Sequence, residues 1–272
     1  MTFRQLIKGS FFHFSDLKGA KDTPFWKAII YLLVLSVLLA IPSVFQAIDV
    51  LKEIKADSLK IVERIPDFTI SDGEIKAADN DADGFIYQTN SIIFTFDPDG
   101  SRSEKDVKND LVGNYFSIGL LKKEAILALP DYGGISTSVL GDNVLKFSYN
   151  QQPFKGLTSQ KLKSAIQNVN LPGWLPILML VAGIYPTLIS LAVTIVFISF
   201  AAWIFARMRL KSVGFLDCFK TIIFCAAIPT VLSMIILFFQ PQFDYSLLIT
   251  IISMFIFFTA SRGFPNVKLP GA

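Results

Sequence analysis

The stretch 170-NLPGWLPILMLVAGIYPTLISLAVTIVFISFAAWIFA-206 contains no Lys, Arg, Asp or Glu, and it decides the class of the protein. About 20 apolar residues are enough for a helix to cross the hydrocarbon core of a bilayer. Residues 171–206 therefore predict a second transmembrane helix that is too long to stand perpendicular to the membrane. Pro172 and Pro176 near its start and Pro186 inside it favour an interfacial beginning followed by a long tilted or kinked helix.

Three further apolar stretches predict transmembrane helices before and after this one. Residues 27–48 form the first, and we interpret it as an uncleaved anchor because no clear A-x-A cleavage site follows it. Residues 219–239 and 245–260 form the third and fourth, with the short polar turn QPQFD at 240–244 between them. The sequence thus predicts a membrane, α-helical protein with four transmembrane helices.

Charged residues are concentrated in one long segment between the first two helices. Only 17% of the chain is charged, whereas soluble domains carry about 25%, yet charges are dense over residues 49–170. We interpret 49–170 as an extracytoplasmic α+β domain, large enough to bury a core.

Local patterns within that segment indicate both helices and strands. An amphipathic helix is expected to continue the first span, and the Asp-Gly turn in 67-DFTISDGEIKA-77 is typical of a hairpin. A helix that begins at Thr158 as its N-cap is expected to lead back to the membrane. Further strands are expected in 84-GFIYQTNSIIFTFDPDG-100, 124-EAILALPDYGGI-135 and 143-NVLKFSYNQ-151.

The distribution of Lys and Arg along the chain predicts how the protein is oriented in the membrane. The segments 1–26, 207–218 and 261–272, with their flanks, hold eleven basic residues, whereas 49–170 has 14 basic and 18 acidic residues. Short loops rich in Lys and Arg stay in the cytoplasm. Both termini and the 207–218 loop are therefore expected to be cytoplasmic in a multi-pass plasma-membrane protein, and the net charge of +3 gives no argument for nucleic acid. The amphipathic segment 1–26 either lies in the headgroup region or packs on the other helices.

One acidic motif could be a metal site. Asp79, Asp81 and Asp83, followed by Gly84, match the start of an EF-hand calcium loop. The match fails where the bidentate Glu should stand, because that position is Asn90. A solvated acidic hairpin loop is the preferred interpretation, and no metal site is predicted.

No other pattern predicts catalysis or a cofactor. The chain lacks a Gly-rich phosphate loop, H-E-x-x-H and G-x-S-x-G, and its single His13 offers no ligand set. Asp97 and Asp99 are more typical of turn carboxylates than of a glycosidase pair. A set of aromatic residues could stack on sugars but is more typical of a sheet core: Phe85, Tyr87, Phe94, Phe96, Tyr132 and Tyr149.

Several stretches together resemble a known family. They are 11-FFHFSDLKGAKDTPFWKAIIYLLVLSVLLAIP-42, 65-IPDFTISDGEIKA-77, 92-IIFTFDPDG-100 and the Pro-bearing third span followed by an aromatic-rich fourth. The chain resembles the uncharacterised bacterial membrane family labelled maltodextrin (or maltodextrose) utilisation protein, found mainly in Firmicutes. Its helices are more distantly similar to Yip-type membrane proteins. The first resemblance implies a role beside an ATP-driven maltodextrin transporter, and neither supplies catalytic residues.

Two functions are expected from these patterns. The first is a non-enzymatic accessory or regulatory protein that contacts lipid and another membrane complex, with the link to carbohydrate uptake implied by the resemblance. The alternative is an envelope sensor whose extracytoplasmic domain binds a glycan, a peptide or a partner protein. A proton-coupled pump or intramembrane protease is disfavoured, because such proteins place charged residues within the bilayer.

Overall fold

A computed structural model describes residues 2–78, 83–130 and 142–267 of the chain. The chain forms two compact units: unit 1 comprises Met1–Ile48 and Pro172–Ala272, and unit 2 comprises Asp49–Leu171. In chain order the described α-helices are α1 (Phe3–Phe12), α2 (Phe25–Arg64), α3 (Glu104–Asn109), α4 (Ser159–Asn168), α5 (Leu175–Met208), α6 (Phe215–Cys225), α7 (Ala227–Phe239) and α8 (Tyr245–Ser261). A 3₁₀ helix (Phe14–Asp22) follows α1.

The N-terminal segment of unit 1 packs on the other helices of that unit. A capping box between Thr2 and Gln5 starts α1, and the amphipathic α1 and the 3₁₀ helix bury Leu6 and Leu17 completely. The ring of Phe3 makes edge contacts with other aromatic rings of unit 1, including Phe224 of α6. The apolar face of α1 thus packs against other apolar helices of the unit.

Two described helices, α2 and α5, are long and apolar enough to cross a membrane. Although Pro186 lies inside α5, that helix continues unbroken from Leu175 to Met208, and Pro176 occupies its first turn, where the missing N–H costs nothing. The shorter α8 has 17 residues. These helices mark the chain as a membrane protein.

The third predicted span is a bent pair of helices rather than one straight helix. Helix α6 ends at Cys225, α7 begins at Ala227, and the two meet at an angle of 43°. Pro229 explains the break, since it has no N–H to donate and its ring clashes with the carbonyl four residues earlier, that of Cys225. Taken together, α6 and α7 are also long and apolar enough for one span.

Unit 2 contains a hairpin and a five-stranded mixed sheet. The strands are β1 (Phe68–Ser71), β2 (Glu74–Ala77), β3 (Phe85–Gln88), β4 (Ile92–Asp97), β5 (Phe116–Leu121), β6 (Glu124–Ala128) and β7 (Val144–Ser148). The predicted β1–β2 hairpin is confirmed, with positive φ at both Asp72 and Gly73, as a type I′ turn requires. The sheet order is β3-β4-β5-β6-β7, and only the β4–β5 pair is parallel. Helix α3 lies in the crossover that a parallel pair needs.

The two faces of the sheet are covered differently. Phe94 and Phe96 belong to a core cluster that also includes Ile61 and Val62 of α2, with Leu162 of α4 packed against it. The other face holds a smaller cluster around Val107 of α3. Gly119 is required there, because a Cβ atom on it would lie 2.7 Å from a methyl carbon of Val107.

Candidate functional site

The acidic loop predicted as a possible calcium site falls largely outside the described residues. Asp79 and Asp81 lie outside them, and Asp83 is described as exposed. Within the described part of the chain, no group of three or more His, Cys, Asp or Glu residues could hold a metal ion.

The carboxylates of Asp97 and Asp99 do not form a pair. The Asp97 side chain is buried and accepts hydrogen bonds from the backbone N–H and hydroxyl of Ser101 and from the N–H of Arg102. Asp99 is exposed. Asp97 therefore stabilises the turn after β4, as expected of a turn carboxylate.

The aromatic residues of unit 2 are mostly sheet core. Phe94, Phe96 and Tyr149 are buried, Phe85 and Tyr87 are half-buried, and Tyr132 lies outside the described residues. The Tyr149 hydroxyl donates to the carbonyl of Leu121, and burial raises the pKa of Tyr149. These described rings do not form an exposed sugar-stacking platform.

Unit 2 contains a partly open apolar cavity of about 220 Å³ between the sheet and two helices. Of its lining residues in the described part of the chain, only Ser58 has a polar side chain. The lining comprises Ser58, Ile61, Val62 and Ile65 of α2, Phe94, Ile118, Leu120, Ala125, Ile126, Leu127 and Phe147 of the sheet, Phe154, and Leu162 and Ile166 of α4. No residue of α4 is fully buried, so α4 covers the cavity loosely.

A buried carboxylate fixes α2 beside the loop that precedes β4. Asp57 is fully buried and accepts hydrogen bonds from the Lys60 ammonium at 2.8 Å and the Ser91 N–H at 2.9 Å. Burial by itself would raise the pKa of the Asp57 carboxyl, but the hydrogen bonds from Lys60, Thr89 and Ser91 outweigh burial and lower the pKa. The charged form of Asp57 thus helps to position one wall of the cavity.

Two lysines of the 207–220 region hold three segments of unit 1 together. The Lys211 ammonium donates to the carbonyl of Phe264 at 3.0 Å and to the amide oxygen of Asn266 at 2.8 Å, both in the C-terminal tail. The Lys220 ammonium donates to the carbonyls of Lys21 and Thr23, at the end of the N-terminal segment. The three basic segments that the sequence assigns to one side of the membrane therefore meet in the structure.

Arginines gather at the ends of α5 and α8. The guanidinium carbon of Arg209 lies 4.8 Å from the ring centre of Phe258, and that of Arg262 lies 5.1 Å from the same centre. Arg207 stacks over Trp203 at 5.3 Å. We call Arg209, Lys211 and Arg262 the basic cluster.

Sequence reasoning found neither the cavity nor the convergence of the basic cluster. The available signal for the cavity was the apolar spacing of Ile61 with Ile65 and of Leu162 with Ile166, which gives each helix one apolar face. For the basic cluster, the signal was that Arg209 and Arg262 each follow an apolar helix directly.

Comparison with protein families gives one result. A family model described as "Protein of unknown function (DUF1189)" matches residues 3–261. Comparison with curated proteins and with solved structures gives no match.

Proposed function

We propose that this chain, which belongs to the DUF1189 family of unknown function, is a four-span, non-enzymatic accessory protein of the bacterial plasma membrane. Its termini are cytoplasmic and unit 2 is extracytoplasmic. The observation that carries this topology is the pair of lysine contacts, Lys211 with the tail and Lys220 with the N-terminal segment.

The contacts support an even number of crossings between the joined segments. Segments that touch beside a set of spanning helices lie on one side of the membrane, so the chain crosses the membrane an even number of times between them. α2 and α5 supply the two crossings between the N-terminal segment and the 207–220 region. The bent pair α6–α7 and then α8 supply the two crossings between that region and the tail.

Helix α8 is shorter than most transmembrane helices, but its length comes close to the thickness of the hydrocarbon core. Its 17 residues measure about 25 Å at 1.5 Å per residue, against a hydrocarbon core of about 30 Å. Local thinning of the bilayer accommodates such a mismatch at modest cost. The basic residues beside α5 and α8 assign their side to the cytoplasm.

An accessory role is favoured over independent transport. Residues 170–206 carry no charged side chain, whereas transporters usually place acids, bases or His within the bilayer. Helix α5 also presents many exposed apolar side chains, such as Val181, Phe197 and Phe200. Lipid or another membrane protein can cover this surface, and Ala202 and Ala206 show that small residues already allow close helix packing in unit 1.

The partner we propose is an ATP-driven maltodextrin transporter, and the support for it is the family resemblance. Deletion of the gene should slow growth on maltodextrins more than growth on glucose, without abolishing it. Purification in mild detergent should recover subunits of the transporter, with an unrelated four-span protein purified in parallel as the control. Equal growth of mutant and parent on both sugars, with no transporter subunit recovered, would refute the link to sugar uptake.

A second candidate function, an envelope sensor, is favoured by the cavity in unit 2. Among the described lining residues, only Ser58 offers a polar side chain that could orient a sugar, so the lining suits an apolar chain. An enclosed apolar cavity of about 150 Å³ takes up small hydrocarbons, and this larger cavity is partly open, so a ligand can enter it. In bilayer nanodiscs, a lipid with a photoreactive group at the end of its acyl chain should crosslink to cavity residues such as Phe147. Crosslinking that Ala125→Trp leaves unchanged would contradict occupation of the cavity.

A further inference from the structure

Arg209 and Arg262 share one aromatic ring. Each guanidinium carbon lies about 5 Å from the ring centre of Phe258, so the two are at most 9.9 Å apart, the sum of the two distances. Arg209 also stacks on Phe205, at 5.3 Å from its centre. The rings hold both guanidinium groups in place while their edges stay open for hydrogen bonding.

No acidic group neutralises this pair in the described part of the chain. Among the described residues, neither Arg209 nor Arg262 forms an ion pair with a carboxylate or donates a side-chain hydrogen bond to a protein oxygen. Arg102 of unit 2 behaves differently, since it pairs with Asp110 at 2.6 Å. Lys211 places a further positive charge near this pair, since its ammonium lies 3.5 Å from the carbonyl oxygen of Arg262.

Like charges close together repel each other; the negative ends of α5 and α8 offset part of that cost, and a bound anion removes more of it. A phosphate group accepts hydrogen bonds from planar guanidinium groups in bidentate geometry, and several donors can share one phosphate. Arg209 directly follows the C-terminal end of α5, and Arg262 directly follows that of α8. Apolar side chains are exposed on the same helices, among them Phe200 and Phe255, so a ligand with both phosphate and hydrocarbon chains matches the surface.

We propose that Arg209 and Arg262, positioned by Phe258, form a binding site for the phosphate of an anionic phospholipid headgroup. This inference goes beyond the accessory role. It depends on the proposed topology only in assigning the bound lipid to the cytoplasmic leaflet. Lys211 raises the local positive potential around the site.

The test measures lipid binding to the full-length chain in a neutral mild detergent. Phosphatidylglycerol, phosphatidylcholine and inorganic phosphate are titrated separately, and native mass spectrometry counts the molecules retained. The parent should retain phosphatidylglycerol in preference to phosphatidylcholine. Arg209→Gln/Arg262→Gln should bind phosphatidylglycerol more weakly by roughly fivefold for each basic residue removed, or about 25-fold in total.

A matched control removes two positive charges from another basic segment. Arg4 and Lys8 are exposed in α1, and Arg4→Gln/Lys8→Gln should leave phosphatidylglycerol binding unchanged. Equal losses in the two double variants would show general attraction between charges and would overturn the site. Retention of inorganic phosphate without any preference for the lipid would overturn the phospholipid as its occupant.

A conservative variant keeps the test valid if the Gln variant does not fold. Arg209→Lys/Arg262→Lys preserves both charges but loses the planar donor arrangement, so it should bind more weakly than the parent and more tightly than the Gln variant. Binding equal to that of the parent would show that charge alone acts there and would contradict the proposed geometry. Thermal unfolding of each variant without lipid identifies those that are folded.

Discussion

Ala125→Leu should stabilise unit 2 by filling its cavity. Ala125 is buried on β6 and lines the cavity of about 220 Å³. Leucine adds three carbon groups, and burial of each contributes about 0.8 kcal/mol, so the upper bound is about 2.4 kcal/mol. Hydrogen exchange of the β5 and β6 amides, measured by mass spectrometry on the full-length protein in nanodiscs, should then slow by up to about 50-fold.

Ala128→Leu is the matched control on the same strand. Ala128 is fully buried on the opposite face of the sheet, in the cluster around Val107. Because Ala128 is already fully buried, an inserted leucine should overpack this cluster, destabilise unit 2 by about 1–3 kcal/mol and speed the same exchange. Faster hydrogen exchange in both variants would show that the cavity cannot accommodate added atoms, and it would also refute the sensor hypothesis.

Three further predictions concern polar groups. Lys211→Met should remove the donor to the tail carbonyls and speed hydrogen exchange over 262–267, at a cost of roughly 1–3 kcal/mol; unchanged protection would show that Lys211 does not hold the tail. The lowered pKa of Asp57 stabilises unit 2 above the unfolded value of about 3.9, and this stabilisation is lost as the pH falls through the folded pKa. Asp57→Asn should therefore lose less stability than the parent on acidification, measured by exchange in unit 2, and an identical pH dependence would contradict this role. Asp81→Asn/Asp83→Asn should leave thermal unfolding unchanged with or without calcium, whereas a calcium-dependent rise in melting temperature that the variant lacks would identify a metal site.

Local signals predicted the parts of unit 2 whose cause lies in a few neighbouring residues. The Asp72-Gly73 turn needs positive φ at two positions, and the residues that tolerate it are visible in the sequence. Thr158 caps α4 as expected, since its hydroxyl accepts from the N–H of Lys161. Strand β5 was missed because Gly119 lowers the expectation of a strand, although contact with Val107 requires a glycine there.

Features made by distant residues could not be predicted in the same way. The cavity exists because α2 and α4 cover the sheet incompletely, and the spacing of Leu162 and Ile166 shows an apolar face without showing how tightly it packs. The meeting of Arg209 and Arg262 at Phe258 likewise depends on the packing of α5 beside α8. The third span was predicted as one helix although Pro229 lies at its middle, so the break at 43° between α6 and α7 was not predicted.

Cysteine labelling in intact cells tests the proposed topology most directly. Lys105 lies in unit 2 and Arg4 in α1, and both side chains are exposed. With the parent protein as the blank for its two buried cysteines, Lys105→Cys should react with a membrane-impermeant reagent. Arg4→Cys should react only after the membrane is permeabilised. Labelling of Arg4→Cys in intact cells, with Lys105→Cys protected until permeabilisation, would contradict the proposed orientation.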